Sequence, residues 1–320
     1  MSLVKLRLSM LSTLAIIIGV STLFFTIVLS LVDALSLFSL AFFVVGFNLV
    51  QWLIAPYLID LMYQAREVSP EEEPELHQMV ERISQRAKLD VPRIMVANIP
   101  IPNAFAYGSP IAGTRVAVTT GLMRALEPEE VEAVLGHELG HIRHRDVQIM
   151  MFVSVLPSLL SYIGYSLSYQ AGYSRRDRER GSGLAAIGSL SMIFYFALLF
   201  LTLQLSRLRE YYADRHSVEV VDDGARKLQE ALAKIVTYTG RARLSGRVQG
   251  LSSFKSLYIA DPDTAERDTA QIQRSYARTS DEALVQEILS REPSAFDTFV
   301  EMFSTHPNII KRLRALQELY

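Results

Sequence analysis

Four apolar runs punctuate the chain, with polar blocks between them. Leu11 to Val32 carries no charged side chain, and at about 1.5 Å rise per residue it is long enough to cross the roughly 30 Å hydrocarbon layer of a bilayer. A second run, Ala34 to about Ile59, is broken only by Asn48 and Gln51, and it ends near Trp52 and Tyr57, where interfacial aromatics are expected. Val147 to Ser168 and Ala185 to Leu205 complete the set. The pattern predicts about four hydrophobic helices. The first run is too long for a signal peptide and the second follows almost at once, so the N-terminal segment is expected to be retained.

The polar blocks carry their own periodicity. In the block from about Leu61 to Asp146, Ser69-Pro70-Glu71-Glu72 predicts an N-cap, a proline in the first turn and a helix onward. Two short strand-like runs follow, Arg93 to Ala97 and Arg115 to Thr119, with Asn103-Ala104-Phe105-Ala106-Tyr107-Gly108 between them, and together they predict a small sheet. Pro128 then opens a helix reaching about Arg145. After the fourth run, helical patterns occupy Ala225 to Tyr238, Asp281 to Arg291 and Asn308 to Leu319, with a Gly/Arg/Ser loop at Gly240 to Gly250 and another at Ser174 to Gly183. The expected organisation is a tail with two membrane helices over residues 1–59, a first catalytic part over 60–146, a hydrophobic hairpin over 147–205 and a second catalytic part over 206–320. The fold class is a mainly α-helical integral membrane protein with an α+β soluble domain.

Composition narrows the chemistry. Half of the residues are hydrophobic and the net charge is −2, with no basic tract interleaved with aromatics, so nucleic acid is not an expected partner. Cysteine is absent, which excludes disulfides and thiol catalysis without fixing a compartment.

The informative stretch is Gly136-His137-Glu138-Leu139-Gly140-His141, just ahead of the third apolar run. On a helix, positions four apart share a face, so His137 and His141 can aim ring nitrogens at one Zn2+ ion while Glu138 stands beside it as general base. Such a five-residue pattern arises by chance on the order of once in a hundred chains of this length, so a third ligand is needed. The fourth run returns the chain to the side that the third left, which brings Glu210 back to the histidines. Glu179, in the loop at the far end, would lie roughly 30 Å of hydrocarbon away. Asp214, one turn beyond Glu210, is placed to hold the outer nitrogen of a ligand histidine, expected to be His137. His144 lies a turn past the metal and, with His77 and His216, is expected to take no part in binding it.

His137-Glu138-Leu139-Gly140-His141 with Ser206-Arg207-Leu208-Arg209-Glu210-Tyr211-Tyr212-Ala213-Asp214 resembles the HtpX-type membrane metalloproteases, relatives of the CAAX prenyl proteases. Asn103 to Gly108 and Thr305-His306-Pro307 with Arg312 are similar to further segments of that family. The resemblance implies a zincin-like catalytic domain and a zinc endopeptidase. Its ligands would be His137, His141 and Glu210, with Glu138 as base and Asp214 behind them. It also implies that Asn103 holds substrate backbone at a sheet edge, that His306 donates to the developing oxyanion, and that Arg312 braces the carboxylates. Protein or peptide substrates in or near the lipid bilayer, and a role in membrane protein quality control, follow from the same likeness. A prenyl-protein protease is the alternative, disfavoured by four spans. An inactive zinc-binding scaffold is another, disfavoured by the presence of Glu138.

Lys5, Arg7, Arg66, Arg143, Arg145, Arg207 and Arg209 flank the membrane on the catalytic side, against Arg175, Arg176, Arg178 and Arg180 opposite. The excess predicts a multi-pass cell-membrane protein with a cytoplasmic active site.

Overall fold

The computed structural model describes residues 37–173, 178–244 and 280–319. Three of its helices are long and apolar enough to cross a membrane, over Phe42–Tyr63, Asp146–Gly172 and Ala185–Val220. They correspond to the second, third and fourth apolar runs. The first run, Leu11 to Val32, lies outside the described residues. The chain divides into two compact units, residues 1–52 with 148–204 and residues 53–147 with 205–320.

The first unit holds most of the apolar length of helices α1 (Leu37–Tyr63), α5 (Asp146–Tyr173) and α6 (Arg178–Val220). α6 begins at Arg178, so part of the loop expected at Ser174 to Gly183 is helical. Val44 and Tyr162 are buried together in this unit, with Leu159 and Ile163 against them.

The second unit is built on a four-stranded sheet of order β1-β2-β4-β3, formed by β1 (Ala65–Glu67), β2 (Arg93–Ala97), β3 (Ala104–Ser109) and β4 (Gly113–Thr119). β2 and β4 run parallel, with Ile94 opposite Val116, while β1 and β3 pair antiparallel on either side. Asn103 to Gly108, read from the sequence only as the stretch between two strands, is therefore largely the edge strand β3. Side-chain alternation sends Ile94, Val96, Val116, Val118 and Ala104 into the main core, and Met95, Ala97, Ala117, Phe105 and Tyr107 into a smaller one with Tyr63. With both faces covered, β2 and β4 carry consecutive apolar residues, Ile94 to Ala97 and Val116 to Val118.

Helices supply the rest of the main core. Ile83 and Val80 from α2 (Pro74–Ala87), Val134, Leu135 and Leu139 from α4 (Pro128–Arg143), and Leu228, Leu232 and Ile235 from α7 (Gly224–Leu244) meet residues of α8 (Asp281–Leu289) and α10 (Ile309–Gln317) there. The short helices α3 (Thr120–Ala125) and α9 (Ala295–Glu301) complete the unit. α4 starts where Pro128 predicts, with the Glu127 backbone amide donating to the Glu130 carboxylate at 2.7 Å.

Two expectations are corrected. α2 begins at Pro74 rather than at Pro70. Ser69 N–H does donate to the Glu72 carboxylate at 3.2 Å, but it closes a turn, because Pro74 forces Glu73 out of helical geometry (φ −133°, ψ 66°). The loop expected at Gly240 to Gly250 is corrected over its first residues, because α7 continues through Gly240 to Leu244; the rest of it lies outside the described residues.

Candidate metal centre

α4 and α6 cross at close range because α4 presents two glycines to α6. A Cβ at Gly140 would stand 3.1 Å from both Ala213 Cα and His216 Cβ, and one at Gly136 would meet Val221 Cγ2 at 2.9 Å. Ser217 Oγ ties the same pair by donating to the Ala133 carbonyl at 2.6 Å. This contact brings a carboxylate from one helix to two imidazoles on the other.

His137 and His141 lie on one face of α4, with their Nε2 atoms 3.2 Å apart. Glu210 on α6 completes a triangle: Oε2 lies 3.7 Å from His137 Nε2, and Oε1 lies 3.5 Å from His141 Nε2. A tetrahedral zinc with bonds of about 2.0–2.2 Å sets its ligand atoms roughly 3.3–3.6 Å apart. The donor set and its dimensions therefore fit such an ion. Among the described residues, this is the one group of three that could hold a metal.

Each histidine backs onto a carboxylate. His137 Nδ1 lies 2.8 Å from Asp214 Oδ1, and His141 Nδ1 lies 2.7 Å from Asp146 Oδ2. This arrangement fixes the tautomer and points Nε2 inward. Arg312, almost fully buried on α10, clasps Asp214 through Nε at 2.9 Å and Nη2 at 2.5 Å, and its Nη1 lies 3.2 Å from Glu210. Arg209 bonds Asp146 and donates to the His144 carbonyl at 2.8 Å. Glu138 is buried, and its Oε2 accepts the Ala106 backbone N–H of β3 at 2.9 Å. His306 Nε2 lies 3.8 Å from Glu210 Oε1, and Thr305 Oγ1 stands 3.0 Å from His306 Nδ1. Asn103 is buried just before β3, its N–H donating to Thr119 Oγ1 at 2.9 Å.

The electrostatics match this grouping. Burial pushes the Glu138 carboxyl above its ordinary value, opposed by His137 and His141. Burial alone would depress His141, but the Asp146 hydrogen bond and the nearby carboxylates of Glu210 and Glu138 prevail and raise it to about 9.

Comparison with known proteins follows the same lines. Residues 70–320 match Peptidase family M48. The chain belongs to that family. It is 38% identical to the Protease HtpX homolog of Thermoplasma acidophilum over 85% of this chain and 82% of the relative. It is 37% identical to that of Aeropyrum pernix over 88% and 86%. Among solved structures, Ste24p of S. mikatae shares the fold with a TM-score of 0.56 and 17% identity, over 98% of this chain and 67% of that one. As a family member, the chain is a metalloprotease of HtpX type with membrane-helix character, and His137, His141 and Glu210 form a group that could hold a metal ion.

Sequence reasoning missed Asp146, Arg209 and the Ala106 amide. Asp146 is five positions beyond His141, outside helical register. It comes back under the imidazole because Arg145 adopts the left-handed region (φ 55°) just past the end of α4. A non-glycine in that conformation leaves no signal in the sequence. His144 caps α4 beside Tyr212 and His216 and is not part of the metal-binding group.

Proposed function

We propose that the chain is a zinc-dependent endopeptidase anchored in the cell membrane by multiple passes. It cuts membrane and membrane-proximal proteins at cytoplasmic or juxtamembrane peptide bonds, in membrane protein quality control. The observation that carries the reading is the triangle of His137, His141 and Glu210 with Glu138 beside it.

Zinc, when bound, polarises the scissile carbonyl and lowers the pKa of a coordinated water toward neutrality. The chain's own residues do the rest. Glu138 takes the proton of the attacking water and delivers it to the leaving amine nitrogen, and its hydrogen bond from Ala106 holds the carboxylate in place. His306 donates to the oxyanion that forms on the carbonyl. Asp214 and Asp146 hold the two histidines, and Arg312 balances the charge of Asp214 and Glu210. Asn103 leads into the edge strand β3, where an extended peptide adds as a further strand. The catalytic part is assembled from residues 60–146 and 206–320, interrupted by the hydrophobic hairpin at 147–205.

Two measurements test the reading together: metal analysis of the purified protein and cleavage of a peptide substrate, each repeated with Glu210→Ala. The expected result is about one zinc per chain with cleavage, both lost in the variant; unchanged zinc and cleavage after Glu210→Ala would overturn it. Membrane selectivity is tested by cutting one substrate with and without a membrane tether. Equal rates would remove that part of the reading.

A further inference from the structure

Helix α9 is held in a distinctive place. Arg207 is buried and lies two residues past Leu205, where the fourth apolar run ends, so it stands only about 3 Å further along the axis of α6. Its Nη1 donates to the carbonyls of Glu301 and Ser304, both at 2.8 Å. The end of α9 and the turn leading to His306 are thus fastened to α6 at the level where that helix leaves its apolar segment.

α9 turns one face inward, with Val300 buried, and the other outward. Phe299 is 57% exposed, and Met302, three positions on and on the same face, is 47% exposed; Phe296 is also exposed. The Phe303 ring extends the strip, 5.4 Å from that of Phe299. Leu208, next to Arg207 on α6, is exposed as well. Large apolar side chains on the outer face of α9 match an interfacial helix that lies in the headgroup and acyl boundary.

We infer that α9 is a membrane-surface contact: Phe299 and Met302 insert into the lipid boundary and seat the His306 turn at the bilayer. This rests on the reading of the apolar helices as membrane spans. The partner is the lipid surface, because the strip is anchored to the spanning helix at its exit point and not to the sheet edge where a peptide would add.

The chain has no cysteine, so a single introduced thiol can be labelled cleanly. Full-length protein carrying Phe299→Cys or Met302→Cys is labelled with an environment-sensitive fluorophore and reconstituted into phosphatidylcholine/phosphatidylglycerol vesicles, with or without lipids bearing a quencher near the headgroup. Gln85→Cys on α2, also exposed, is the aqueous control. The expected result is quenching and a blue shift at positions 299 and 302 but not at 85. The double variant Phe299→Ser/Met302→Ser should cut a membrane-anchored substrate about tenfold more slowly, the equivalent of roughly one apolar side chain's burial, and a soluble peptide within about twofold of wild type. Labels at 299 and 302 that ignore quencher lipids overturn the inference. So do labels that respond only to added peptide, which would make the strip a substrate-docking surface. Zinc content and soluble-peptide cleavage, measured in the same preparations, report separately on the enzyme reading, and resistance to carbonate extraction reports on the spans.

Discussion

At the scale of single residues, the strongest expectations concern groups that are buried with one partner each. Glu138→Gln should retain zinc and lose peptide cleavage by about 10²–10⁴-fold, since an amide cannot take up the water's proton; zinc content and turnover on one preparation decide it. Asp146→Asn should weaken metal affinity by about 10–100-fold, measured by competition with a chelator, because His141 loses the carboxylate that orients it. Arg312→Met leaves Asp214 buried without its bidentate partner and should cost about 3–5 kcal/mol of stability in chemical denaturation. The grouping around these residues was partly legible beforehand. His137 and His141 share a helical face by spacing alone, and Glu210 followed from the return of the fourth apolar run. Asp146 and the Ala106 amide were not legible, because they depend on a left-handed turn at Arg145 and on which edge of the sheet β3 occupies. Neither leaves a pattern in the residue types.

Helices and strands explain why the fold was easier to read than the site. α4 and the strands β2 and β4 declare themselves through Pro128 and through the short apolar stretches Ile94 to Ala97 and Val116 to Val118, whereas β3 mixes Ala, Tyr, Gly and Ser and is defined by its pairing with β4. The α4–α6 crossing depends on the absence of side chains. Gly140→Ala should overpack it, costing roughly 1–3 kcal/mol, and should weaken zinc binding as well, because any separation of the helices carries Glu210 away from the histidines. A calorimetric melt paired with a zinc titration would detect both. Elements are also joined by charge: Lys234 on α7 lies 2.7 Å from Glu130 on α4 and 2.8 Å from Asp281 on α8. Burial works against the ammonium, but Asp281 and Glu130 outweigh it and raise its pKa above the ordinary lysine value. Because the folded value is the higher one, this contribution to stability is complete below the unfolded pKa of about 10.4 and is lost as pH rises through the folded one. Melting temperatures measured across that alkaline range should fall more steeply for the native protein than for Lys234→Met.

For the whole molecule, topology is the open quantity that a simple measurement fixes. With the spans oriented as the basic residues predict, an introduced cysteine at Ser182 should react with a membrane-impermeant reagent in intact cells, while one at Gln85 should be protected. The order in which the centre is put together has a further effect. Both histidines come from α4, yet the guanidinium that pairs with Asp214 and Glu210 comes from α10, and two long apolar helices are made in between. A ribosome producing this chain would therefore finish inserting those helices before the last charge of the cleft could dock. Until then Glu210 and Asp214 lack the guanidinium that pairs with both. A polypeptide that stalls before residue 312 is expected to cleave poorly, and peptide cleavage by a chain truncated ahead of α10 checks it.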